Sequence, residues 1–523
     1  MADQESQGGG QPPAPYGAGQ GSVGSSPTEP APTSYDTEQG LVPGGTRQEV
    51  SGGAASPVMP QAASTVESGG GGGGNEGGTV VVPPVSGRGL PILPVILGLI
   101  LVLGLAFLGG WLWLRFKGEG GGTAGEVKLT YWGLWEEAGI IEPLLVEFNQ
   151  AHPGVTVVYE RQSKEDYRER LQSVLAKGTG PDIFRFHNTW LPMFKEELAP
   201  VPASVMSASE FEAAFYPAVK NDLRMGANYY GIPLEIEGLG LYVNDEIFRA
   251  AGKTSPVTWD ELRKTAAELT VRDKQGKIKV AGVALGNTVN VDNWPDILGL
   301  MMLQNGVDLT APTGKLAEDA LEFYTVFQTT YKVWDETLPP STIAFAGGKV
   351  AMMLGPSWRA FEVAERNSEL EFRVLPVPQL PEAEEVNWAS YWVEGVANGS
   401  EHQKEAWEFL KFLSDKESLE KLYENAAKVR LFGEPYSRQE MAGLLVSQPL
   451  VGAYVKQAPK AKSWYLASRT WDGASGINSR IIGYFEDAVN AVGEGRKPEE
   501  VLVPVAAGVN QVLVQYGVVG GGK

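Results

Sequence analysis

Two tryptophans and two carboxylates crowd one turn in residues 129–139, LTYWGLWEEAG, where Trp132, Trp135, Glu136 and Glu137 surround Gly133. Turns are ordinarily small and polar. Leu129 and Tyr131 alternate with Thr130 as a strand does, so the aromatics fall where that strand leaves its sheet. Rigid rings beside carboxylates suit a molecule with flat C–H faces and many hydroxyls, which is the chemistry of a sugar. Rings supply apolar area, and carboxylates and amides supply directional, charge-assisted hydrogen bonds. Trp132, on the strand, is expected to pack in the core, and Trp135 with Glu136 to face a cleft.

The same pairing recurs along the chain. FRFHNTW offers Asn188 and Trp190 at the end of a strand, and VDNWPD presents Asp292, Asn293 and Trp294 among turn formers. NWASYWVEG adds Trp388, Tyr391 and Trp392, and TWDGASGINSR adds Trp471, Asp472 and Asn478. Each has packing in the core as its competing role. The whole set is expected to bind a ligand through aromatic platforms and short polar side chains.

Catalytic chemistry finds little support. The three histidines, His152, His187 and His402, lack metal-motif spacing. No G-x-S-x-G elbow or P-loop is present. The chain has no cysteine, which excludes disulfides, thiolate sites, thiol nucleophiles and an acylated N-terminal cysteine. A formal net charge of −20 argues against nucleic acid as a partner. No metal and no cofactor is expected.

The elements that must position these residues occupy only part of the 523-residue chain. Residues 1–88 are dominated by Gly, Pro, Ser, Thr, Gln and Ala, with eight acids and two arginines. Such a segment cannot bury enough apolar surface to offset its chain entropy, so a disordered acidic arm is expected. Residues 89–114 run without a charge, and a helix of this length spans roughly 39 Å against a hydrocarbon core of about 30 Å. Trp111, Trp113, Arg115 and Lys117 close it as interfacial anchors do. A single transmembrane signal-anchor over 89–115 is therefore expected, followed by a Gly-rich linker at 116–125. Arg88 precedes the span and Arg115, Lys117 and Lys128 follow it, so the positive-inside rule by itself favours a cytoplasmic C-terminal domain, by a small margin.

From residue 126 the patterns alternate. VKLTYW, PGVTVVYE and PDIFRF read as strands. GIIEPLLVEFNQ places Ile140, Ile141, Leu144, Leu145 and Phe148 on one helical face, and KEDYRERLQSVLAKG aligns Tyr167, Leu171, Val174 and Leu175. This β-α-β-α-β order predicts an α/β fold with a largely parallel sheet and a binding crevice at the strand C-termini. KEAWEFLKFLSDKESLEKLYENA reads as two helices with a capping box, Ser414 and Glu417, at the break.

In their order and spacing, LTYWGLWE, LLVEFNQAHPGVTVVY, RERLQSVLAKGTGPDIF and YGIPLEIEGLGLYVNDEIF resemble the extracellular solute-binding proteins related to maltose-binding protein. TWDELRKTAAEL, AFAGGKVAMMLGPSW and KEAWEFLKFLSDKE extend the likeness over residues 126–517. The resemblance implies a two-lobed periplasmic-binding-protein fold with a hinge. Lobe 1 would take about 126–232 and 376–430, and lobe 2 about 233–375 and 431–517. It also implies Glu237, on the segment crossing the hinge, and Trp358, beyond a glycine turn, as ligand-facing residues.

The function it implies is non-enzymatic: a monomer captures a small molecule, a carbohydrate or similar polyol, and delivers it to the permease of an ATP-driven ABC importer. The N-terminus departs from the family's cleaved signal or lipid-anchored cysteine, and the transmembrane helix takes that place. The resemblance then puts the C-terminal domain outside the membrane and the arm in the cytoplasm. Two alternatives stay open: a surface sensor or adhesin reusing the fold, and a glycoside hydrolase in which Glu136 and Glu237 form the carboxylate pair.

Overall fold

The computed structural model describes residues 126–520. The expected arm at 1–88, membrane helix at 89–115 and linker at 116–125 lie outside the described residues. Among the described residues no helix is long and apolar enough to cross a membrane.

The first sheet grows from the opening alternation. β1 (Val127–Gly133) buries Leu129 and Tyr131 and pairs in parallel with β2 (Val155–Arg161) and with β3 (Ile183–His187). Helix Ala138–Ala151 between them buries Ile140, Ile141, Leu144, Leu145 and Phe148, the predicted face. Helix Tyr167–Ala176 buries Tyr167 and Leu171, while Val174 and Leu175 stay half-exposed. Gly133 admits no side chain, because a Cβ there would lie 2.4 Å from the Tyr159 ring. Tyr159 passes over that glycine and donates to the Glu136 carbonyl at 2.8 Å, fixing the turn that carries Trp135.

After the small hairpin of β4 (Arg224–Met225) and β5 (Asn228–Tyr229) the chain crosses to a second sheet. β6 (Gly240–Asn244) lies antiparallel to β9 (Val350–Gly355) and to β10 (Phe372–Leu375). β7 (Val271–Arg272) pairs with β8 (Ile278–Val283), which runs parallel to β9. The chain then returns through β11 (Asn387–Trp388) and adds β12 (Trp392–Val396) antiparallel to β3. The two sheets therefore read β12-β3-β1-β2 and β10-β6-β9-β8-β7. The fold is the two-lobed α/β arrangement the sequence led to expect.

Crossing segments touch one another between the lobes, through bridges Ile232↔Glu394, Glu235↔Tyr436 and Gly238↔Ala389. Gly238 is required there, since a Cβ would sit 2.0 Å from the Trp388 carbonyl oxygen. Helices Gln403–Leu413 and Lys416–Ala427 follow as predicted, but without the capping box. Ser414 ends the first helix and donates to the Lys411 carbonyl, and Asp415 takes the N-cap position. β13 (Ala461–Lys462) then pairs in parallel with β11, and helices Ile477–Gly493 and Pro498–Gln515 complete the domain. Pro504 is accommodated inside the last helix rather than ending it.

Candidate ligand-binding site

The parallel strands of the two sheets deliver two sets of loops at their carboxyl ends, where open α/β sheets bind ligands. β1 ends at the turn of Trp135 and Glu136, β2 runs out toward Lys164, and β3 ends at Asn188. In the second sheet β9 ends before Ser357, Trp358 and Arg359, and β8 leads to Asp292 and Asn293.

A strip of half-buried aromatic rings joins these loops. The Trp135 ring meets Trp392 edge-on at 5.6 Å and Trp471 at 5.2 Å. Trp392 sits in turn on His187 at 5.1 Å and Trp190 at 5.3 Å. Beyond Trp471 the strip continues through Arg469, whose guanidinium lies 5.8 Å from the Trp358 ring, and Arg359 covers that ring at 4.4 Å. Lys164 Nζ stands 5.4 Å over the Trp471 ring.

One loop, residues 463–476, ties the lobes together. Ser463 donates to Asp222 of the first lobe at 2.5 Å, and Ser468 accepts from Asn293 of the second at 3.0 Å. Ser468 N–H also donates to Asp296 at 3.1 Å. Arg469 and Trp471 both take left-handed backbone, φ +57° and +49°. Such backbone in bulky residues persists only where the surroundings fix it.

The predicted site residues separate into two groups. Trp135, Trp392 and Trp358 are partly exposed, and Trp135 and Trp392 are in contact. The others are committed to the protein in this conformation. Glu136 is buried and paired with Arg185 at 2.5 Å, and Arg185 also donates to Glu394 at 2.8 and 2.5 Å. Burial opposes the Glu136 charge, but Arg185 outweighs it and holds the carboxyl below its usual range. One cation cannot serve two buried carboxylates equally, and for Glu394 burial wins and raises the pKa.

Glu237 accepts from the Ser357 N–H and hydroxyl, both at 2.8 Å. Burial, with the charge of Glu434, pushes its carboxyl up to about 8. Asp292 accepts from Ser341 and twice from Thr342, and Arg469 lies 3.3 Å away. Burial would raise its pKa, but Arg359 and those donors lower it. Asn293 bridges Arg359 and Ser468, and Trp294 is buried at the start of helix Trp294–Gln304.

Asn188 donates to Asp222, and Tyr391 donates to the same carboxylate at 2.8 Å. Burial raises the Asp222 pKa to about 6 against these bonds. Trp190, fully enclosed, stacks on Phe194 at 5.8 Å and belongs to the core. Asn478, also fully enclosed, accepts from Thr189 at 2.8 Å. A ring or amide with no exposed surface cannot meet a ligand, so Trp190, Tyr391 and Asn478 are corrected to structural roles. Trp132, expected in the core, is only half-buried and donates to Glu160 at 2.9 Å.

Sequence reasoning singled out Trp471 but did not place Lys164 or Arg469 in the site. The left-handed backbone that presents Arg469 and Trp471 falls on two non-glycine residues and has no sequence signal. Among the described residues no acidic or histidine cluster could hold a metal ion. Glu136 and Glu237, the carboxylates a glycosidase would need, are both spent on protein donors.

Two α/β lobes joined by crossing segments, with aromatic loops at the sheet ends, define a two-lobed ligand-binding protein rather than an enzyme. The chain belongs to the bacterial extracellular solute-binding protein family, whose sequence profile matches residues 133–420. It is similar to the maltotriose-binding protein of Pyrococcus abyssi, 21% identical over 384 residues that cover 68% of this chain and 78% of the relative. It is also similar to the arabinooligosaccharide-binding protein of Halalkalibacterium halodurans, 26% identical over 313 residues, 55% of this chain and 67% of the relative. The sugar-binding protein MalE of Xanthomonas citri shares the fold, with a TM-score of 0.61 at 18% identity over 75% of this chain and 98% of that one.

Proposed function

We propose that the protein captures a carbohydrate outside the cell and hands it to the permease of an ATP-driven importer. The observation that carries this reading is the ring strip Trp392–Trp135–Trp471, which leads through Arg469 to Trp358 and presents partly exposed indoles from loops of both lobes. Indole faces match the C–H faces of sugar rings. The two similar proteins named above carry oligosaccharides in their names, which supports the same ligand class.

The charge-free run at 89–114 supports a single-pass tether. Membership of an extracellular solute-binding family supports residues 126–517 outside and the acidic arm inside, against the small margin of flanking charge. Two experiments test the reading. A thermal-shift screen against a carbohydrate library should find a ligand that, at about 100 times its Kd, stabilises the fold by roughly 2.7 kcal/mol. Protease added to intact cells should remove the domain and spare the arm. If the domain is protected, the topology and the importer role both fall.

A further inference from the structure

We infer that the captured carbohydrate carries a carboxylate, as a uronic acid does, and that Arg469 and Lys164 select for it. This rests on the carbohydrate reading and narrows it. The carboxylates around the ring strip have protein partners: Glu136 has Arg185, Glu237 has Ser357, and Asp222 has Asn188, Tyr391 and Ser463. Asp292 is held by Ser341, Thr342 and Arg469. They are poor acceptors for ligand hydroxyls.

The spare capacity at the strip is cationic. Lys164 is exposed above the Trp471 ring and has no acidic partner among the described residues. Arg469 is exposed at the Trp358 ring, with one long contact of 3.3 Å to Asp292. Behind it, Arg359 is buried and pairs through Nη1 with Glu362 at 2.7 Å and through Nε with Asn293, but its Nη2 has no hydrogen-bond acceptor, with Asp292 Oδ1 only at 3.8 Å. Arg359 Nη2 and Arg469 Nη2 thus face one oxygen, Asp292 Oδ1, at 3.8 and 3.3 Å, and Asp292 Oδ2 is already occupied by Thr342 and Ser341.

A carboxylate on the ligand would supply the missing acceptors. Guanidinium donors match a carboxylate in geometry as well as charge. The chain is otherwise acidic, at −20, so an anion gains little from the general field and must be held by these local donors.

The test is calorimetric titration of the full-length chain with trigalacturonate, maltotriose and glucose 6-phosphate. A charge-assisted hydrogen bond of about 1.5–3 kcal/mol corresponds to a preference for trigalacturonate over maltotriose of at least about tenfold. That preference should shrink as salt screens the exposed lysine and arginine. Arg469→Gln and Lys164→Gln should each remove most of the preference, and Lys164→Gln, which breaks no ion pair among the described residues, should do so with the melting temperature of the free protein unchanged. Equal or tighter binding of maltotriose overturns the inference and leaves the carbohydrate reading standing. So does a preference that survives both substitutions. Binding of glucose 6-phosphate alone overturns the carboxylate in favour of a phosphate, and failure of all three, with an empty library screen, overturns both readings.

Discussion

The Trp135 and Trp471 rings meet at 5.2 Å with their planes tilted by 51°, one from the first turn of the domain and the other from the loop that closes it. Both are partly exposed, so each keeps an open face while bracing the other. Trp135→Ala and Trp471→Ala are each expected to weaken sugar binding by about 1–3 kcal/mol, the scale of one aromatic contact. The double variant should lose less than the sum, because neighbours in contact couple. Calorimetry on the four proteins checks this, and additive losses would mean the rings act separately.

Trp190 and Trp132 should behave oppositely to their apparent roles in the sequence. Trp190→Ala opens a cavity in the core and is expected to cost about 3–5 kcal/mol. Trp132→Ala removes a half-buried ring with one exposed hydrogen bond and should cost about 1–2 kcal/mol. Denaturant melts of the free proteins decide it.

Arg185 holds two buried carboxylates, Glu136 and Glu394. Arg185→Met leaves both without a counter-charge and is expected to destabilise by about 3–5 kcal/mol. Replacing all three with apolar residues of similar volume should recover much of that loss. Chemical denaturation of the single and triple variants measures the difference.

Glu237 makes stability fall as pH rises. Its carboxyl is pushed from an ordinary 4.5 to about 8 in the folded chain, so the fold holds a proton that the unfolded chain releases. The contribution is complete below about pH 4.5 and disappears as pH climbs through about 8, with a slope of up to about 1.4 kcal/mol per pH unit. Asp222 and Asp296, each raised to about 6 by burial, add the same sign at lower pH. Glu237→Gln should flatten the slope between about pH 5 and pH 8. Melting curves across that range test it, and an unchanged slope would assign the proton elsewhere.

Much of the architecture was legible in the sequence because it is local. The period-two run before Gly133 and the apolar face Ile140, Ile141, Leu144, Leu145, Phe148 emerge as β1 and the helix after it. Trp135 and Trp392 were legible as candidates from the aromatic-rich stretches that hold them and Trp358 from the family resemblance, and all three rings are partly exposed. The carboxylates were misjudged, because their partners are remote in sequence. Nothing near Glu136 announces Arg185, and nothing near Glu237 announces Ser357. A free acid and a satisfied acid look the same until the chain folds. Arg469 and Lys164 were passed over for a similar reason: in the sequence they are ordinary surface cations, and only the rings beneath them give them a role.

The loop that bonds Ser463 to Asp222 and Ser468 to Asn293 also sets a length. Five peptide units separate the two serines, and a fully extended chain covers at most roughly 18 Å in that span. While both hydrogen bonds hold, Asp222 and Asn293 can move apart only until that stretch is taut, so its slack bounds any separation of the lobes at this point. Inserting residues between Ser463 and Ser468 would relax that bound while leaving both hydrogen bonds able to form.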